Sequence, residues 1–422
     1  MDYNTQMNYD GLSGKSILLL GKPRALNFDE FETLLKLHRI TLVLTYDEEV
    51  ALVIEGKLMN PIQQDESARL YELGTVPIVA IEGVEQWLCS SIEPNRLLMS
   101  LKLSHDQDRL VDFIQNRYIS DELFFKLLKL YDWQREGLFD NDTNRNVTAA
   151  LISRFYKDIE RNHNVQYAMS GLAHLIQKYG TPQLIEAISE LSPIANELKS
   201  PVDRTLAGVL DAIALHPQTP EKILRTLIKE RSEILARRVP LALEEELLAL
   251  GNETIDQLLA CNPTLSAKGA DTLEVMYPQY IAHSFPLTHE RFERLLKVCA
   301  EALASNVTLS SSMQQTLMDL DEVGVCSALA SNVSIIPVLL NTLYESGSYA
   351  AEIAGNNAVT AQQCEALWMS NVPTVLQALA ANTATPVEIL YQLALDSRYE
   401  RSVKTNAAFG KHIQTHNIGW QV

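Results

Sequence analysis

Leu303-Ala304-Ser305-Asn306, Leu329-Ala330-Ser331-Asn332, Ile353-Ala354-Gly355-Asn356 and Leu379-Ala380-Ala381-Asn382 are copies of one tetrapeptide. Leu259-Ala260-Cys261-Asn262 is a fifth. Ile213-Ala214-Leu215-His216, Leu235-Ala236-Arg237-Arg238, Ile281-Ala282-His283-Ser284 and Val403-Lys404-Thr405-Asn406 are degenerate copies. The fourth positions fall at 216, 238, 262, 284, 306, 332, 356, 382 and 406, a mean interval of about 24 residues. The first position is Leu, Ile or Val in all nine copies, and the second is Ala in eight. A fixed register of this length marks a repeat architecture.

The chemistry of the tetrapeptide suggests what the unit is. A short helix is expected to end near each aliphatic-Ala pair. Asn then takes the left-handed turn conformation or bonds local backbone groups. Thr219-Pro220-Glu221 and Thr385-Pro386-Val387-Glu388 read as Thr caps of the next helix with Pro in its first turn. Ser311-Ser312-Met313-Gln314 and Thr360-Ala361-Gln362-Gln363 read as capping boxes. Ala beside the turn lets neighbouring helices approach. One such unit cannot bury its own apolar face, so the units must stack. The expectation is a mainly α protein, an α-solenoid over residues 206–410.

The pattern resembles the leucine-rich repeat variant family, whose unit of about 24 residues alternates an α-helix with a second short helix, and it is HEAT-like in general style. Some members of that family carry an iron–sulfur cluster on clustered cysteines. Here Cys89, Cys261, Cys299, Cys326 and Cys364 are scattered, without a C-x-x-C pair. Neither a cluster, a zinc site nor a disulfide framework is expected, and no cofactor is assigned.

Working back towards the N-terminus, Ser16 to Leu20 reads as a buried strand. Asn27 to His38 reads as an amphipathic helix with Phe28, Phe31, Leu34, Leu35 and His38 on one face. Strands follow at 40–44, 51–54 and 77–81, with helices at 61–73 and 84–89, the first closed by Gly74. This β-α-β-β-α-β-α order, with Gly14-Lys15-Ser16 before the first strand, Glu72-Leu73-Gly74 before the last and Trp87 in the closing helix, resembles a BRCT domain over residues 11–92. The resemblance implies a small α/β fold. Phosphopeptide-binding BRCT domains have Ser or Thr before the Gly that follows the first strand, and a Lys near the start of the second helix. Leu20 and Glu66 occupy those places, so the phosphate pocket is not expected to carry over.

The expected organisation is a flexible lead at 1–10, a BRCT-like domain at 11–95, an irregular helical segment at 96–205, the repeats at 206–410 and a tail at 411–422. In the middle segment, helices are expected from Ser120-Asp121-Glu122 onward, over Ala149 to Ile159, and over Met169 to Tyr179 ahead of Gly180-Thr181-Pro182.

Of the 422 residues 46 % are hydrophobic, and the net charge is −18 with a pI near 5.0, which excludes a disordered chain. No run of about 18 apolar residues could span a bilayer, and Met1-Asp2-Tyr3-Asn4 lacks a signal-peptide pattern. A cytoplasmic protein is expected. Between Lys297 and Arg398 there is neither Lys nor Arg. Nucleic-acid affinity rests on those side chains, as does attraction to anionic membranes, so neither partner is expected.

Four local motifs carry residue types that chemistry could use. Gly14-Lys15-Ser16 ends like a P-loop, but Tyr9 replaces the required Gly and a strand follows instead of preceding. Asp140-Asn141-Asp142-Thr143-Asn144 begins like a calcium loop, yet Arg145 and Leu151 hold the Gly and Glu positions. It reads as a polar inter-helix loop. His412 and His416 share a helix face without further ligands. Arg225, Lys229, Arg231, Arg237 and Arg238 are interleaved with Glu230, Glu233 and Glu244 to Glu246, a compensated surface.

No acid, base and nucleophile converge in the pattern. The expected function is therefore a non-catalytic interaction or scaffold protein. An adaptor of a DNA repair or replication complex and a helical-repeat enzyme are the alternatives. The candidate binding residues are Glu301, Asp319, Glu322, Glu345, Glu352 and Glu365, placed on a concave face for a basic or neutral protein segment.

Overall fold

In the computed structural model, which describes residues 9–157, 163–199 and 204–416, Ser16–Leu20 forms β1 of a four-stranded sheet. The others are β2 (Thr41–Val43), β3 (Val50–Glu55) and β4 (Ile78–Ala80). All pairs are parallel and the order is β2-β1-β3-β4. Parallel strands are covered on both faces and so read as unbroken apolar runs. Leu18, Leu20, Val53 and Leu70 pack together on one face, while Ile17, Leu19, Leu52 and Ile54 point the other way and are equally buried.

Helix α1 (Phe28–Leu37) is capped by Asn27, whose side chain accepts from Glu30 N. It buries Phe31, Leu34 and Leu35, while Phe28 is exposed, contrary to expectation. Asn60 and Gln63 form a capping box on α2 (Pro61–Leu73), which closes on left-handed Gly74. Helix α3 (Ile81–Ser90) carries Trp87 against Tyr9 and His38. It also carries Glu85, fully buried, whose Oε1 accepts the backbone N–H groups of Arg24, Ala25 and Leu26 at 2.8, 2.7 and 3.0 Å. That single oxygen orders the loop between β1 and α1.

The remainder is mainly helical, and the chain divides into two compact units, Met1–Glu230 and Arg231–Val422. In the first, the sheet module bonds directly to the helices that follow it: Arg109 pairs with Glu30, and Asn116 donates to Cys89 Sγ. Helices Asp121–Leu130 and Met169–Tyr179 fall where expected. The expected loop at 140–144 is instead the start of the helix Asp142–Phe155. Asn141 is its N-cap, and Asn144 is buried between Tyr131 Oη and the Gly137 carbonyl. Residues 1–8, 158–162 and 417–422, on which part of the expected lead, the end of the 149–159 helix and part of the tail fall, lie outside the described residues.

In the second unit a leading helix ends at each tetrapeptide and a trailing helix follows. Val323–Ser331 leads and Pro337–Ser346 trails; Ala350–Gly355 leads and Ala361–Met369 trails; Pro373–Ala381 leads and Val387–Ala394 trails. Between 289 and 304 the two run on, broken at Cys299 with φ −150° and ψ 55°. The aliphatic residue of every tetrapeptide copy is buried, and so is every Ala in its second position; from Leu259 onward they lie on leading helices that contact the next one.

The Asn residues follow the second of the two expectations, bonding backbone groups, and add bonds beyond their own turn. Asn332, Asn356, Asn382 and Asn406 are extended, with φ between −70° and −83° and ψ between 118° and 129°. Each buried Asn reaches back to the preceding copy. Nδ2 of Asn262, Asn306, Asn332, Asn356, Asn382 and Asn406 donates to two backbone carbonyls there at 2.7–3.1 Å. Oδ1 accepts from the backbone N–H two residues on, at 2.8–3.0 Å. From Asn332 to Asn406 each amide bonds the main-chain carbonyl of the Asn before it, so one continuous ladder ties the turns from Asn306 onward together. Left-handed residues close the opposite turn, after the trailing helices, at Gly251, Asp321, Gly347 and Asn371; Leu243, at φ 58° ahead of Glu244–Leu248, is one on the tetrapeptide side.

Two cap expectations are also corrected. Thr219 and Thr385 donate back to the Ile213 and Leu379 carbonyls, closing the helix before instead of capping the helix after. The cap of Ser311–Met318 is Ser310, one residue earlier than expected. Gln314 leaves the capping role, is buried, and bonds the next repeat at Ser334 O and Ile336 N. The box at Thr360 and Gln363 forms as expected.

Candidate interaction surface

The repeat geometry distributes the six candidate carboxylates over leading helices, a trailing helix and the junctions between them. Glu301 and Glu352 lie on leading helices. Glu301 packs over Gly324, where an added Cβ would meet its Oε2 at 2.9 Å, and Glu352 Oε1 accepts from Ser327 Oγ at 2.9 Å. Both therefore flank the helix Val323–Ser331. Glu365 stands exposed on the trailing helix Ala361–Met369.

Asp319, Glu322 and Glu345 are gathered elsewhere, at the junctions where a trailing helix hands over to the next leading helix. Asp319 terminates Ser311–Met318 and Glu322 is the N-cap residue of Val323–Ser331. Asp321 lies between them at φ 51°. At the next junction Glu345 stands beside Gly347 at the end of Pro337–Ser346. Asp319 accepts from Gln315 Nε2 and Glu345 from Asn341 Nδ2, both at 2.7 Å. Amide donors orient these carboxylates without neutralising them.

What distinguishes this stretch is the lack of counter-charge. Upstream, Arg291 is buried between Asp271 and Glu274, and Arg294 also pairs with Glu274, at 3.1 Å. Downstream, Arg398 bonds Asp396 and holds its carboxyl below the usual range. Between them, Glu301, Asp319, Asp321, Glu322, Glu345, Glu352, Glu365 and Glu388 have no ion-pair partner among the described residues. A one-sign patch of this kind attracts the opposite sign over about a Debye length.

The other motifs are absorbed by structure. Gly14, at φ 80°, makes the turn into β1. His412 and His416 stack on one another beside Tyr391, and no three His, Cys, Asp or Glu among the described residues are grouped to hold a metal. Arg225 pairs with Glu221, and Arg238 is buried, which lowers its pKa. Glu66 pairs with Arg69. The first unit has a cleft of about 880 Å³ lined by Tyr9, Tyr71, Tyr118, Glu55, Glu72 and Glu82. Glu55 is taken up by Ser67 and Glu82 by Arg24. No helix among the described residues is long and apolar enough to cross a membrane. No family model, curated protein or solved structure matches the chain.

Proposed function

We propose that this chain is a non-catalytic interaction protein. In this reading the second unit is an α-solenoid of about 24-residue repeats, similar to the leucine-rich repeat variant and HEAT families, and the sheet module is BRCT-like. The acidic run of the solenoid captures a basic or neutral protein segment in the cytoplasm, where five unpaired thiols stay reduced. The observation that carries this reading is the set of carboxylates from Glu301 to Glu388 without a salt-bridge partner, held on a stack that the Asn ladder keeps in register. Complementary charge governs association rate and partner choice more than raw affinity.

The test uses a partner captured from native cells. Its association rate should fall as salt rises from about 50 to about 300 mM. Neutralising Asp319, Glu322 and Glu345 to amides should slow association, while the same change at exposed Glu48 and Glu49 of the sheet module should not. Equal effects at both places, or none at either, would show that the acids serve only solubility.

A further inference from the structure

The junctions that gather Asp319, Glu322 and Glu345 also expose a row of large apolar side chains. Met276, Val298, Leu320, Val323, Met369 and Leu395 all lie within a few residues of a trailing helix's end, and they are between 38 % and 82 % exposed. Single exposed apolar residues are ordinary, but their recurrence at one junction after another marks an interaction surface. At five junctions the exposed residue follows the last buried Leu of the trailing helix by two or three positions, Met276 after Leu273, Val298 after Leu295, Leu320 after Leu317, Met369 after Leu367 and Leu395 after Leu393, and Val323 opens the leading helix that follows Leu320. Successive repeats are tied by the ladder, so equivalent positions follow one another along the stack. The repeat at Glu345 and Gly347 contributes charge instead of an apolar side chain.

We propose that this edge is the docking site for a basic amphipathic helix of a partner protein. This rests on the acidic reading above and assigns both the place and the partner. Two arguments select the occupant. The first is charge: from Val298 to Leu395 the apolar row is interleaved with Asp319, Asp321, Glu322 and Glu345, and no Lys or Arg lies in that stretch. An apolar ridge flanked by Lys or Arg complements it, whereas an anionic membrane or an acidic segment is repelled. The second is spacing. Neighbouring helices in a stack lie about 8–10 Å apart, and one heptad of α-helix rises about 10 Å. The apolar stripe of a helix laid along the edge therefore meets about one junction per heptad.

The probe is a synthetic peptide of about three heptads, Leu at a and d and Lys at most other positions, titrated into the full chain. Two control peptides replace either every Leu by Ser or every Lys by Glu. The protein variants are Val323→Ser/Met369→Ser/Leu395→Ser on this edge and Val307→Ser/Val333→Ser on the ladder-side turns, where those two valines are also exposed. The expected result is binding that the edge variant weakens about tenfold, that the ladder-side variant leaves unchanged, and that neither control peptide reproduces. Binding lost on neutralising Asp319, Glu322 and Glu345 but indifferent to Val323, Met369 and Leu395 would overturn this proposal and leave the acidic reading standing. Indifference to both sets would overturn both. Equal loss in the edge and ladder-side variants would reduce the row to general stickiness. A self-association of the chain abolished by the edge variant would make the occupant a second copy and overturn the assignment of a basic partner. Because the control peptides act without altering the protein, the result stands even if the triple variant folds poorly.

Discussion

Replacing Asn356 tests the ladder at its middle rung. Its Nδ2 donates to Ala330 O at 2.8 Å and Asn332 O at 2.9 Å, and its Oδ1 accepts from Ala358 N at 2.8 Å. The residue is 1 % exposed. Asn356→Ala leaves Ala330 O and Ala358 N unpaired where water has little access, and strips Asn332 O of one of its two donors, Ile335 N remaining. A buried polar group stripped of its partner costs about 1–3 kcal/mol. Partial relaxation of the turn sets the expected loss at about 2–4 kcal/mol. With a urea m-value near 2 kcal/mol/M, the midpoint should fall by about 1–2 M. Asn356→Asp is the sharper variant. It has the same shape and keeps the bond from Ala358 N, but it presents a carboxylate to two carbonyl oxygens. It should lose more than Asn356→Ala at neutral pH. The sign is fixed: repulsion raises the folded pKa of the new Asp above its unfolded value near 4. The neutral acid is therefore tolerated below that value, and stability is lost as pH rises through the folded pKa. The gap between the two variants should close in acid. Stacked repeats do not always unfold in one step, so urea melts should be paired with hydrogen exchange of the amides from Leu329 to Asn332. The control is Asn357→Ala, whose exposed amide has one bond, from Thr383. If Asn356→Ala and Asn356→Asp melt and exchange like that control, the ladder does not hold the stack and the reasoning fails.

Three other outcomes follow from the same structure. Ala330, fully buried between leading helices, should not accept Leu without a loss of about 1–3 kcal/mol in urea melts; an unchanged midpoint would remove the close approach assigned to it. Glu85→Ala leaves the N–H groups of Arg24, Ala25 and Leu26 without their acceptor and should cost about 3 kcal/mol or more, seen as rapid exchange of those amides, with Glu85→Gln milder. Burial pushes the thiols of Cys89 and Cys364 up to about 11. Their folded pKa values lie above the unfolded ones, so their contribution is complete below about pH 9 and is lost as pH rises through 11, by about 2 kcal/mol each. Cys364→Ala should flatten that loss in melts at pH 9 and 11.

What could be read in the chain, and what could not, divides along the range of the interactions. The aliphatic and Ala positions of the tetrapeptide are legible because burial at a fixed register needs only periodicity. Strands β1 and β3 are legible because a parallel sheet covered on both faces admits no polar alternation. The Asn partners are another matter. Each carbonyl that Asn356 binds lies 24 or 26 residues upstream, so nothing local separates an inter-repeat bond from a left-handed cap. Thr219 and Thr385 each precede Pro and could serve the helix on either side. Three consecutive serines, Ser310 to Ser312, offer three caps, and only Gln314's pull toward Ser334 and Ile336 decides among them. The acids suffered most. Glu301 and Asp319 are both simply acidic residues in a repeat until the break at Cys299 and the turn at Asp321 put one on a leading helix and the other at a junction.

The ladder also bears on where function can reside. Its bonds run from Asn side chains to main-chain carbonyls, so from Asn306 to Asn406 the turn that carries it depends on one residue type per repeat. The opposite turn is under no such constraint. Its left-handed residue is Gly, Asp or Asn in different copies, and its charges change character along the stack. Up to Arg294 several acids are answered by cations, as Glu245 is by Lys268 and Glu274 by Arg291. From Glu301 to Glu388 they are not, among the described residues, and Val298, Leu320, Val323, Met369 and Leu395 are exposed at the junctions of that stretch. A surface serving only solubility has no need of those apolar side chains, because charge alone meets that demand. A surface serving only stability would bury them and pair the acids. The unladdered edge does neither, and that makes it, of the two turns, the one whose residues are free to answer to a partner.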